Sequence, residues 1–263
     1  MYTPNNAAFV GMVHLLPLPG SPRWAGDMEA VLAAATRDTE ALCAGGCDAL
    51  IVENMGDLPY LRGTVYPETV AAMALAVARV REVACQTPVG VQVLAAANRE
   101  ALGVAVACGA RFLRVEGFAY AHVADEGWID ACAAELLRAR RALGAEVAIW
   151  ADIQKKHSAH AVTADLGLAD WAHGAAFCGA DCLVVTGAAT GSPTDPAHVV
   201  QAKTAGLPVA VGSGVTPGNA QDLVGLADGL IVGSWLKQGG DWRRPVDPQR
   251  VSAVRTALDG SSR

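Results

Sequence analysis

Eight short runs of β-branched and other apolar residues recur along the chain, at 9–14, 49–53, 89–94, 112–116, 147–152, 182–186, 209–213 and 230–234. Between them lie alanine-rich stretches long enough for helices, such as 28–44, 68–84 and 130–143. Strand and helix patterns alternate throughout, which predicts a parallel sheet built from βα units.

A partial internal repeat sharpens this pattern. GGCDALIV (45–52), CGARFLRV (108–115), CGADCLVV (178–185) and LADGLIV (226–232) each end a helix with glycine or a small residue and then enter a strand. They introduce only the second, fourth, sixth and eighth runs. The odd runs open differently, as at Pro88 and Pro208, where proline precedes the point at which the ladder needs a backbone donor. Four copies of a βαβα unit predict an α/β fold, a single (β/α)8 TIM barrel over residues 1–263, with its core at about 9–240 and a C-terminal helix at about 247–259. A doubly wound open sheet would need a glycine-rich turn after the first strand, and residues 15–20 read Leu-Leu-Pro-Leu-Pro-Gly, without GxGxxG.

Composition narrows the function classes. Hydrophobic residues make up 52% of the 263 and charged residues 17%, enough for one large core. A net charge of −6 excludes a broad nucleic-acid surface, which needs clustered Lys and Arg, but leaves a small anionic ligand open. No window reaches about 18 uninterrupted apolar residues, and residues 1–6 lack the basic and apolar regions of a signal peptide, so no transmembrane segment and a cytoplasmic location are expected. Seven cysteines, with no CxxC pair, read as small buried hydrophobes in a reducing compartment. Many barrels self-associate, so a homo-oligomer is compatible with the chain, although no segment identifies an interface.

Active sites of this fold form from the loops at the carboxyl ends of the strands. Those ends supply His14, Asn54, Gln92, Arg114, Glu116, Thr186 and, further along, Thr190 as expected substrate-binding residues. After the seventh and eighth strands, Gly212, Ser213, Gly214, Gly233 and Ser234 are small enough for backbone amides to close on a phosphate, with Gly187 from the sixth loop beside them. Simple tight turns are the competing reading. The sixth loop, 186–195, holds three threonines and no large apolar residue, and reads either as a cover for the ligand or as a surface connection.

Several of these segments together resemble the BtpA/SgcQ family: His14 to Pro22, Glu53-Asn54, Ala151-Asp152-Ile153-Gln154-Lys155-Lys156-His157, Thr186-Gly187-x-x-Thr190-Gly191 and Gly212-Ser213-Gly214-Val215. The similarity runs from about residue 9 to residue 240. It implies a phosphate-binding barrel. The family takes its name from a cyanobacterial member needed for photosystem I accumulation, while other members sit in sugar-metabolism settings, so the resemblance implies no single reaction.

The segment after the fifth strand carries the densest chemistry. Asp152 can point into the mouth, and Lys155 and His157 can return to the same pocket, where an acid–lysine pair could move a proton beside a carbonyl or stabilise an enediolate. A Schiff-base lysine activated by neighbouring Lys156, and a merely solvated loop, are the other readings. Glu53 is a candidate general base. His14, Glu53 and Glu116, with His157 or His160, could instead hold a divalent ion such as Mg²⁺, although no ligand pair has a diagnostic spacing. Arg114 is expected to pair with Glu116, two positions along one strand. His122, His173 and His198 are expected at the surface or as caps, and Trp235 as a pocket wall.

The leading expectation is an enzyme on a phosphorylated small metabolite, a sugar phosphate or nucleoside phosphate. It would run isomerase, lyase or glycosyl-bond chemistry through Asp152, Lys155, His157 and Glu53. The alternative is a non-catalytic assembly or regulatory protein that retains the ligand site.

Overall fold

The computed structural model describes residues 2–4, 7–154, 157–187 and 193–260. Eight parallel strands close into a barrel: β1 (Ala8–His14), β2 (Ala49–Glu53), β3 (Val89–Gln92), β4 (Phe112–Val115), β7 (Ala148–Ile153), β9 (Cys182–Val185), β10 (Val209–Val211) and β11 (Gly229–Val232), with β11 pairing back onto β1. Every predicted strand is present. Around them run α1 (Met28–Ala44), α2 (Pro67–Ala84), α3 (Asn98–Cys108), α4 (Ala133–Ala142), α5 (Leu168–Phe177), α6 (Pro196–Lys203), α7 (Ala220–Val224) and α8 (Pro248–Asp259). Asp27, Asp195 and Asp247 cap α1, α6 and α8 through backbone N–H groups, and proline opens α2, α6 and α8, where no amide donor is needed.

The internal repeat has a mechanical reason. Its aspartates Asp48, Asp181 and Asp228 stand at the amino ends of β2, β9 and β11, and each accepts a backbone N–H from the first or second residue of a neighbouring strand: Phe9 at 2.7 Å, Ile149 at 2.8 Å and Val209 at 2.7 Å. Arg255, Arg140 and Lys203 neutralise the three in turn. In the remaining copy this position is Arg111.

The period of two in a strand sorts the residues into a helix-facing layer and an inner column. Inside the barrel stand Val10, Met12, Ile51, Phe112, Trp150, Val184, Ala210 and Ile231. Phe112 and Trp150 stack with ring centroids 4.2 Å apart, and Tyr2 lies against both at the amino end. Gly90 makes room for this stack, since a Cβ there would sit 2.4 Å from the Phe112 ring. One step further along each strand, the inward positions become His14, Glu53, Gln92, Arg114, Asp152, Thr186, Gly212 and Gly233, so the apolar column ends in a polar layer at the carboxyl mouth.

A second sheet covers part of that mouth. Strands β5 (His122–Ala124) and β6 (Gly127–Ile129) form a hairpin after β4, and β8 (Ser158–Ala159), after β7, adds antiparallel to β5. The helix expected from 130 therefore begins at Ala133, because the residues before it are drawn into this hairpin and its exit. The histidines divide as well. His173 is exposed and His198 half-buried, but His122 is 1% exposed, its ring 5.5 Å from that of His160, which corrects the surface reading.

Candidate active site at the barrel mouth

The mouth opens into a cavity of about 480 Å³. His14, Glu53, Gln92, Arg114, Glu116 and His157 reach it from the early and middle strands, and Gly212, Ser213, Gly214, Gly233 and Ser234 from the last two. With Trp235, expected as a pocket wall, twelve of the residues singled out in the sequence thus share one wall or another of a single space. Asp152, Asn54, Thr186 and Gly187 do not line it, and Lys155 and Thr190 lie outside the described residues.

Asp152 stands behind the wall. Its carboxylate accepts from Arg114 Nε at 3.2 Å and from Nη2 at 3.1 Å, with both side chains buried. The expected Arg114–Glu116 partnership is corrected by the register: Arg114 lies opposite Trp150, which puts Asp152 on the same inward face one step up the adjacent strand. Glu116 falls beyond the end of β4 and accepts from the Ala96 amide at 3.1 Å. Burial opposes the charge of Arg114, but Asp152, Glu53 and Glu116 outweigh it and raise its pKa above the ordinary arginine value.

His14 and Glu53 form the other close pair, Nε2 to Oε2 at 3.4 Å, both side chains under one tenth exposed. Their strands are in register, His14 opposite Glu53 and Glu53 opposite Gln92, so three neighbouring strands present one polar row. The turn after β11 passes directly over the imidazole, since a Cβ at Gly233 would sit 3.2 Å from His14 Nε2.

Asn54 is one position out of phase with the inward column, and its amide is spent on the scaffold. It accepts from the Leu94 amide at 2.7 Å and donates to Asp57 at 2.9 Å, while Asp57 accepts from the Leu18 amide at 2.7 Å. Burial raises the Asp57 pKa against these hydrogen bonds. The unit fastens the loop carrying Pro17 to Ser21 onto the loop after β2, where Gly56 is so close that a Cβ would lie 2.5 Å from Pro17 N.

The glycine turns are equally constrained. A Cβ at Gly212 would meet Val184 at 2.6 Å and Arg114 Nη2 at 3.1 Å, and Gly214 has φ +70. Ser213 Oγ accepts the Gly187 amide at 2.8 Å, so Ser213 and Gly187 join the sixth and seventh loops, and Ser213 O accepts from Thr194. Asn219 then pins the turn, accepting from the Thr216 amide and donating to Gly214 O, each at 2.8 Å.

The strand-end rule could not supply the rest of the cavity. Asp125 and Glu126, at the tip of the β5–β6 hairpin, reach in from above, and Tyr60 enters from the loop after β2. Burial first, then Glu53 and Glu116, raise the Tyr60 hydroxyl pKa above its ordinary value. Trp235, Trp242 and Arg243 close the rim from the segment after β11. Lys237 anchors that segment, wholly buried and donating to Asp38 of α1 at 2.8 Å, while Asp38 also accepts from the Val246 amide. Among the described residues no three His, Cys, Asp or Glu side chains converge as metal ligands, and no helix is long and apolar enough to cross a membrane.

Solved structures share this architecture at low identity. Phosphoribosyl anthranilate isomerase from Thermus thermophilus aligns with a TM-score of 0.57 at 15% identity over 96% of this chain and 98% of its own. A structure named native KDPGal aligns at 0.58 and 15% over 99% and 98%. Closer in sequence are the Caenorhabditis elegans protein F13E9.13, named as mitochondrial, 46% identical over 92% of this chain and 89% of its own, and the photosystem I biogenesis protein BtpA of Synechocystis, 41% identical over 95% and 87%. With the BtpA family profile matching residues 5–260, nearly end to end, the chain belongs to the BtpA family.

Proposed function

We propose that the protein is an enzyme acting on a small phosphorylated metabolite at the barrel mouth, by proton-transfer chemistry of the isomerase or lyase kind. One observation carries the reading: the Glu53–His14 pair opens into the same cavity as the glycine turns 212–214 and 233–234. Small residues let backbone amides approach a phosphate, and the turns after the last two strands are where barrels commonly hold one. A buried carboxylate beside an imidazole can take a proton from carbon and return it elsewhere, and His157 at the cavity edge is a further proton carrier. Asp152 acts through Arg114, holding the guanidinium in place to stabilise a developing oxyanion. Lys155 is kept as a candidate on the sequence alone. Fold neighbours named for phosphorylated compounds, such as 3-hexulose-6-phosphate synthase, support the reading by analogy of fold only.

The test has two arms. Thermal denaturation with inorganic phosphate, sugar phosphates and nucleoside monophosphates, with and without Mg²⁺, should show a raised midpoint for phosphorylated compounds, since a ligand of the folded state stabilises it. No rise with any of them sinks the phosphate site. Proton NMR in D₂O should then show deuterium entering a carbon-bound position of a stabilising compound, and Glu53→Gln should abolish the exchange. The name of the Synechocystis relative favours a second reading, a non-catalytic assembly protein. Under it no exchange occurs, and Glu53→Gln leaves the cellular phenotype intact.

A further inference from the structure

One segment builds the rim on the side of the last strand, and its bracing fixes where its side chains stand. After the turn at 233–234, Lys237 donates to Asp38 of α1 at 2.8 Å, the Asp247 amide donates to Leu236 O at 2.8 Å, and the Gln238 amide donates to Pro245 O at 2.9 Å. Arg250 of α8 lies over the Trp235 ring, 4.1 Å from its centre, and donates from Nε to the Trp235 carbonyl. Between these ties Gly239 (φ +64) and Gly240 (φ +75) turn the chain through the left-handed region that favours glycine. The turn returns Trp242 and Arg243 to the mouth, where both line the cavity.

A short run of contacts joins Arg243 to the glycine turns. A Cβ at Gly233 would lie 3.2 Å from His14 Nε2, and the Trp242 ring stands 6.5 Å from the His14 ring and nearly perpendicular to it. The Arg243 guanidinium carbon lies 4.8 Å from the centre of the Trp242 ring. Gly214, Ser234 and Arg243 line the same space.

Among the described residues two guanidinium groups line that space, Arg114 and Arg243, and their commitments differ. Arg114 is buried and gives Nε and Nη2 to Asp152, so its charge is answered inside the protein. The Arg243 side chain is 63% exposed, and its ion pair runs from Nη1 to Asp241 Oδ1 at 3.4 Å, an oxygen that already accepts from the Arg243 amide at 3.1 Å. An exposed pair of this kind is worth little and gives way to a better acceptor. The Trp242 ring holds the guanidinium at the mouth, and its planar fork of N–H donors is suited to a phosphate through two parallel hydrogen bonds.

We infer that Arg243 is a ligand-binding residue that grips the phosphate held at turns 212–214 and 233–234, supplying the full positive charge that backbone amides and serine hydroxyls do not carry. The inference rests on the phosphate reading of the rim and adds the side chain that meets the phosphate's charge.

The experiment reads the dissociation constant of the full chain for inorganic phosphate from the rise in melting midpoint with phosphate concentration, at low and at physiological salt. The parent is compared with Arg243→Gln, Arg243→Lys and Arg244→Gln. Arg244 is the control, because it is exposed on the same segment, does not line the cavity and carries the same charge. Arg243→Gln should weaken phosphate about tenfold or more at low salt, the scale of a charge-assisted hydrogen bond, and leave the midpoint without phosphate unchanged. The loss should shrink as salt rises, Arg243→Lys should recover part of it by keeping the charge without the fork, and Arg244→Gln should bind as the parent does. Undiminished binding in Arg243→Gln, or an equal loss in Arg244→Gln, would overturn the inference and leave the turns standing as the phosphate site. Failure of the parent to bind phosphate would overturn the rim reading and this inference with it.

Discussion

Asp152 and Arg114 make a large electrostatic commitment at the mouth, because both side chains are buried and they meet at 3.1 Å. Removing one partner of such a pair leaves the other uncompensated, which costs about 3–5 kcal/mol. Asp152→Asn keeps the shape and removes the charge, so urea denaturation should show a loss toward the lower end of that range, since Glu53 and Glu116 still face the guanidinium. Gly212 tests a steric commitment at the same place. The methyl of Gly212→Ala would come within 2.6 Å of Val184 Cγ1 and 2.9 Å of Thr186 Cγ2, so a loss of about 1–3 kcal/mol is expected together with loss of the phosphate-dependent rise in melting midpoint. A variant as stable as the parent that still responds to phosphate would show that the turn can shift, and that its closeness to Arg114 is incidental.

Among the elements, the β5–β6 hairpin is the one that changes the electrostatics of the cavity. Its tip residues Asp125 and Glu126 add two carboxylates to a space already lined by Glu53 and Glu116. Replacing the tip by Asn and Gln preserves the turn and should tighten inorganic phosphate binding by about two- to tenfold at low salt, with the gain shrinking as ionic strength rises. No dependence on salt would show that the tip does not act through its charge. This hairpin was also the least legible element. Strands and helices of the barrel announce themselves by apolar runs and alanine-rich stretches, and the inward column follows from a period of two, so His14, Glu53, Gln92 and Gly233 could be placed from the sequence. His122–Ala124 and Gly127–Ile129 are three residues each, too short for a periodic signal, and pair in a sheet with Ser158–Ala159 only because the barrel brings the loops after β4 and β7 together. Asn54 was misleading for a related reason: it follows Glu53 directly, and its partners Leu94 and Asp57 are set by loop packing that no local pattern encodes.

Across the whole molecule, the seven cysteines are spread through the packing rather than gathered at a site, and that spread gives the fold a pH signature. Burial raises the thiol pKa values of Cys43, Cys47, Cys108, Cys132 and Cys182, that of Cys132 from its ordinary 9.0 to about 11, and burial raises Tyr2 to about 12. Above pH 9 the unfolded chain releases these protons while the folded chain still holds them. The unfolded state then binds fewer protons, and stability falls as pH rises. Lys237 works in the opposite sense, because burial lowers its pKa despite Asp38, so between that lowered value and 10.5 the unfolded chain holds the extra proton and stability rises with pH. One lysine stands against five thiols and two phenols, Tyr2 and Tyr60, so the buried acids set the sign. The free energy of unfolding from denaturant titrations should be level near neutrality and decline between pH 9 and pH 11. The double variant Cys47→Ala, Cys182→Ala, which removes two of the most buried thiols, should lose stability at pH 7 through lost packing yet show a shallower alkaline decline. A decline of equal slope in parent and variant would assign the loss to other groups and break the link between buried thiols and the stability of the barrel.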